Sequence, residues 1–136
     1  MTTLEAKPPY TVLCIDDDPA ILSLRKHHLE GRGYEVLQAG SGPAGLALFA
    51  SHRVDCVVVD YHMPGMTGAC VARSAKRLRP DIPVLFVSGG TVPEDVLYWV
   101  DGFLTKDSLP SKLLERIELL LLNRPLAPLR GQGSET

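Results

Sequence analysis

The stretch Cys14-Ile15-Asp16-Asp17-Asp18-Pro19, CIDDDP, ends an apolar run with three acids in a row. Unit charges about 4 Å apart repel by about 4 kcal/mol per pair at an effective dielectric near 20. A small domain therefore needs a reason to place them where a strand stops. The residues leading into it, YTVLCI (10–15), are nearly continuous apolar and β-branched, the pattern of a parallel strand buried on both faces. Asp18-Pro19 reads as a helix start, with Asp18 as the N-cap and Pro19 at the first helical position. The helix is expected to run to about Glu30 and to end at Gly31 and Gly33. Arg25 and His28 share its arc with Ile21 and Leu24, so their stems are expected along the core edge.

Outward from that stretch, strands and helices alternate. YEVLQA (34–39), CVVVD (56–60), PVLFVS (83–88) and GFLT (102–105) read as further strands. Helices are expected over 43–51, 69–79 and 93–100, the last of these short. A final helix is expected from near Ser108 to about Asn123, where Pro125 forbids continuation. Residues 1–9 read as a loose arm, 10–124 as one domain, and 125–136, rich in Pro, Gly and polar residues, as a disordered tail. This alternation implies a parallel sheet covered on both faces by right-handed crossovers. The expected fold is a flavodoxin-like three-layer α/β sandwich with strand order 2-1-3-4-5 and five helices, helix 4 short. Ligands of such sheets bind where the chain direction reverses, beside the ends of strands 1 and 3. Asp16, Asp17 and Asp60 then meet in one crevice.

Bulk properties narrow the function. At 136 residues the chain has room for one core and little more. A net charge of -2 with scattered basic residues argues against direct nucleic-acid binding, which needs a basic face. No apolar stretch approaches a membrane span, and MTTLEAKPPY lacks the apolar region of a secretory signal. Cys14, Cys56 and Cys70 are odd in number and lie in apolar surroundings, so buried thiols in a reducing cytoplasm are expected.

Converging carboxylates must be protonated, separated by solvent or bound to a cation. Mg²⁺ takes a few carboxylates together with waters and a phosphate oxygen. Ser88 after strand 4 and Lys106 after strand 5 add a hydroxyl and an ammonium at the same edge. Phosphoryl transfer asks a protein for in-line placement and charge neutralisation, and this set supplies both with one acid left as nucleophile.

The acidic pair after strand 1, DYHMPGMTG (60–68), Ser88-Gly89 and GFLTK (102–106) together resemble a response-regulator receiver domain, the aspartate-phosphorylated half of two-component signalling. The resemblance covers roughly residues 10–123. It implies that Asp60 is the phosphoacceptor, charged from a histidine kinase or a histidine phosphotransfer protein. It implies Mg²⁺ or Mn²⁺ held by Asp16, Asp17, Asp60 and the backbone carbonyl of His62. Ser88 and Lys106 would contact the phosphoryl group, and Ser88 and Phe103 would form the switch that a downstream protein, or a second copy of the chain, reads. Such a domain is a signalling phosphoacceptor, not an enzyme acting on a separate substrate.

Two departures bear on that reading. Asp107 stands where the family usually has a proline after the lysine, commonly through a cis bond. Since a non-proline cis bond costs about 2.5–4 kcal/mol, a trans bond with a rearranged loop, or visible strain, is expected. The segment from Ser88 to Lys106 is also shorter than usual. These departures motivate an alternative, a receiver that binds partners without regard to phosphate. A metal-dependent phosphatase is a third reading, set back by the scarcity of chain for a substrate cap and by His62 where such enzymes carry an acid. GSGPAG (40–45) matches a dinucleotide fingerprint, but it follows the second strand and Pro43 interrupts its loop, so helix entry is the better reading. The histidines lack zinc-ligand spacing with the cysteines. His62 reads either as a side chain overhanging the phosphoryl group or as an ordinary loop residue. Tyr98 and Trp99 read either as core or as a partner contact.

Overall fold

Successive side chains of a strand point to opposite faces of a sheet, and that alternation splits the core of this protein in two. The computed structural model describes residues 9–123. Its elements are β1 (Thr11–Ile15), α1 (Pro19–Glu30), β2 (Glu35–Ala39), α2 (Gly42–Ser51), β3 (Cys56–Asp60), α3 (Gly68–Leu78), β4 (Val84–Ser88), a 3-10 helix (Glu94–Trp99), β5 (Gly102–Thr105) and α4 (Pro110–Asn123). The five strands form one sheet in the order β2-β1-β3-β4-β5, every pairing parallel, as expected. Leu13, Ile15, Val57, Val59, Val84 and Phe86 face one side and pack under α2 and α3 against Phe49, Val71, Ala72 and Ala75. Val12, Cys14, Val58, Leu85 and Val87 face the other and meet Leu22 and Leu29 of α1 and Ile117 and Leu121 of α4.

The helix starts follow their caps. The Asp18 side chain accepts from the Ala20 N–H with Pro19 opening α1, and Ser41 accepts from the Ala44 N–H at the start of α2. Two of the three glycines of GSGPAG serve packing: a Cβ on Gly42 would lie 2.7 Å from Met66 Sδ and one on Gly45 2.4 Å from Ile15 Cδ1, so glycine lets α2 press this closely on its neighbours.

Three expectations are corrected. The described residues contain four α-helices, not five, because the connection from β4 to β5 holds a 3-10 helix. That short segment must retrace the length of β4, and a 3-10 helix rises about 2.0 Å per residue against about 1.5 Å in an α-helix. The last helix begins at Pro110, since residues 105–108 form a turn closed by the Ser108 N–H on the Thr105 carbonyl. Cys70 is exposed, because α3 buries Val71, Ala72 and Ala75 and leaves Cys70 on its outer side; Cys14 and Cys56 are buried as expected. The arm expected over 1–9, apart from exposed Pro9, and the tail expected over 125–136 lie outside the described residues.

Candidate functional site

Strand parity decides what gathers at the carboxyl edge of the sheet. Asp16, one step past β1, Asp60, the last residue of β3, and Lys106, one step past β5, all continue the alternation toward the α1–α4 side. Ser88, the last residue of β4, continues it toward the α2–α3 side.

The structure accordingly joins the first three. Lys106 Nζ lies 3.0 Å from Asp16 Oδ2 and 3.1 Å from Asp60 Oδ2. Both acids are buried. The second oxygen of each accepts a backbone N–H, from Asp18 to Asp16 Oδ1 at 2.9 Å and from His62 to Asp60 Oδ1 at 3.2 Å. Asp17 is exposed, yet one carboxylate oxygen from each of Asp16, Asp17 and Asp60 lies within 4.8 Å of the others. Three carboxylates so placed, one of them open to solvent, suit a small hard cation that keeps part of its water shell. Burial alone would lower the pKa of the Lys106 ammonium, but its bonds to Asp16 and Asp60 outweigh this and hold it above its ordinary 10.5.

A fifth charged residue joins them unannounced. Arg25 Nη1 lies 3.5 Å from Asp16 Oδ2, with only 8% of the side chain exposed. Its stem does run along the core, but the guanidinium is a buried partner of the acid, not a surface group. The signal in the sequence is its place between the buried Leu22 and Leu29 of α1, a core-facing position where a charge requires a buried counter-charge.

The other expected site residues are placed less directly. Ser88 is buried, and its hydroxyl donates to the Gly90 carbonyl at 3.2 Å while accepting the Gly90 N–H at 3.1 Å, so it is satisfied within its own loop. Phe103 is half-buried on the α2–α3 side, within the same apolar group as Val96 and Leu97. His62 is exposed; its Nε2 lies 3.0 Å from the Thr91 carbonyl oxygen, and its ring meets Tyr61 edge-on at 4.8 Å. The imidazole thereby ties the loop after β3 to the loop after β4. The Lys106–Asp107 bond is trans, and the Asp107 carboxylate accepts from the Thr105 hydroxyl inside the 105–108 turn. Tyr98 is 89% exposed. Among the described residues no helix is long and apolar enough to cross a membrane.

Residues 12–118 match the family described as the response regulator receiver domain. The chain is 32% identical over 114 residues to the transcriptional regulatory protein GlrR of Escherichia coli, covering 81% of this chain and 26% of that protein. It is 33% identical over 130 residues to the DNA-binding dual master transcriptional regulator RpaA of Synechocystis, covering 91% of this chain and 54% of that one. It thus spans between about a quarter and about half the length of these curated relatives. Among solved structures, a CheY-like receiver domain from Methanospirillum hungatei superposes with a TM-score of 0.79 at 30% identity, over 83% of this chain and 94% of that one. The response regulator TrrA of Thermotoga maritima, solved in complex with Mg²⁺-BeF, superposes with a TM-score of 0.77 at 27% identity, over 82% and 98%.

Proposed function

The chain belongs to the response regulator receiver domains of two-component systems, and on that premise we propose that Asp60 accepts a phosphoryl group from a protein phosphohistidine. The observation that carries this reading is the meeting of Asp16, Asp17 and Asp60 with Lys106 shared between two of them. An Asp60 carboxylate oxygen attacks phosphorus while the bond from phosphorus to the imidazole nitrogen breaks, and that nitrogen keeps the electron pair. Asp16, Asp17 and Asp60 would hold Mg²⁺ or Mn²⁺, with the His62 carbonyl as a further ligand, and the bound cation supplies charge neutralisation at the phosphoryl oxygens. Lys106 begins on Asp60 Oδ2 and is within reach of the oxygens that arrive there.

Phosphorylation adds a charge of about -1.5 to -2 and three acceptor oxygens. Ser88 must release the Gly90 carbonyl to donate to one of them, which moves its loop and alters the surroundings of Phe103 on the same side of the sheet. The face formed by β4, the 3-10 helix and β5 is then what a downstream protein or a second copy reads. The unit that does this spans residues 10–124, its donor is a histidine kinase or a phosphotransfer protein, and its setting is the cytosol.

Treated with acetyl phosphate and Mg²⁺, the protein should gain a single phosphoryl group by intact mass, and Asp60→Asn should gain none. Incorporation at the same stoichiometry in that variant would refute the assignment. A phosphate-independent scaffold is the second reading, favoured by the two cations that already neutralise Asp16. A beryllofluoride titration with Mg²⁺ separates the two, because a scaffold gives no shift in the amide spectrum around Ser88.

A further inference from the structure

The acidic site holds a cation that the chemistry above leaves idle. Arg25 is 7% exposed and shares Asp16 Oδ2 with Lys106, at 3.5 Å against 3.0 Å. The other Asp16 oxygen accepts the Asp18 N–H. Both oxygens therefore have protein donors before any ion arrives, and an ion that uses Asp16 must displace a donor or crowd beside one. The Asp18 N–H belongs to the turn that opens α1 and is fixed by the fold. Lys106 is a quarter exposed and has a second anchor in Asp60, so it can swing away. Arg25 has neither freedom. Apolar Val87 and Leu104 and polar His28, Thr105 and Ser108 line with Arg25 the recess beside it, and among the described residues Asp16 is the only carboxylate within ion-pair distance of it.

We infer that Arg25 is a built-in competitor of the divalent cation, a positioning residue that stays against Asp16 and weakens metal binding at the acidic site. The inference rests on the reading of Asp16 and Asp17 as metal ligands. Three carboxylates with Lys106 and Arg25 leave the site one negative charge; without Arg25 they leave two. A fixed positive charge on the carboxylate an ion must share repels that ion, and burial limits screening by salt. The metal-bound form is then reached only at higher ion concentration than three carboxylates alone would require. A packing role for Arg25 makes the opposite forecast, since removing it would loosen α1 and leave affinity unchanged or lower.

Arg25→Met is a fair probe because methionine can replace the buried stem between Leu22 and Leu29 and Asp16 keeps both Lys106 and the Asp18 N–H. Titration of the full chain with Mn²⁺, reading the free ion by electron paramagnetic resonance, should show Arg25→Met and Arg25→Gln binding about tenfold tighter than wild type. Arg25→Lys should remain near wild type. Equal or weaker binding in the two neutral variants overturns the inference, and Arg25→Gln decides it alone if the methionine variant does not fold. Absence of stoichiometric Mn²⁺ binding in wild type, or unchanged binding in Asp17→Asn, is a separate result that overturns the metal-site reading and the inference together.

Discussion

Two crossovers pack side by side on the same face of the sheet, and they are built to different standards. α3 is capped by the Thr67 hydroxyl, which accepts from the Cys70 N–H, and it buries Val71, Ala72 and Ala75. Its first residue, Gly68, sits directly on the end of β3, where Asp60 lies. The 3-10 helix between β4 and β5 has no side-chain cap, and Val96 and Leu97 are only half-buried. Segments with few buried apolar contacts open at lower free energy than the core around them. The sheet therefore holds Asp60, the proposed phosphoacceptor, from the firm side, and the loose segment begins just past Ser88. On the proposed function, a nucleophile kept still beside a hydroxyl that moves needs that inequality.

The harshest way to break the comparison is Gly68→Ala. A Cβ there would lie 2.6 Å from the Asp60 carbonyl oxygen and 2.7 Å from Tyr61 Cα, both backbone atoms, so α3 must shift. Urea unfolding should show a loss of about 2–3 kcal/mol; a loss under about 1 kcal/mol would mean that α3 is not the firm side. Next is Asp101→Ala. Asp101 Oδ2 accepts from the Val84 N–H and from Lys76 Nζ, each at 2.7 Å, and so ties the end of α3 to the start of β5. The variant should cost about 1–2 kcal/mol, and Lys76→Met should cost less because the Val84 N–H keeps its acceptor.

A smaller effect is read by pH. The folded-state pKa of Lys106 is raised, so its bonds to Asp16 and Asp60 contribute stability that is complete below 10.5 and lost as pH climbs through the folded value. Metal-free wild type should lose stability over this alkaline range more steeply than Lys106→Met, and parallel curves would count against the pairing. The smallest effect belongs to Tyr98→Ala, which should change stability by less than about 0.5 kcal/mol because the ring is 89% exposed. A larger cost would show that the 3-10 segment is held more firmly than its contacts indicate.

The strands were legible because buried parallel strands read as unbroken apolar runs, and α1 because Asp18 and Pro19 mark its start chemically. The fourth crossover was misread because six residues are too few to separate a 3-10 helix from a short α-helix by periodicity. Asp16, Asp60 and Lys106 could be found from their places at strand ends. Arg25 could not, since the sequence shows which arc of the helix it occupies but not which acid lies across from it. The local satisfaction of Ser88 was within reach: counting alternation from Val84 sends its side chain away from the acids.

The exposed Cys70 gives this protein a convenience. Burial pushes the Cys14 thiol up to about 12, and Cys56 lies sealed beneath the helices, so a maleimide offered to the folded chain finds a single handle. A fluorophore or spin label can be set on the back of the third helix without engineering, and mild oxidation can staple molecules together only at that point.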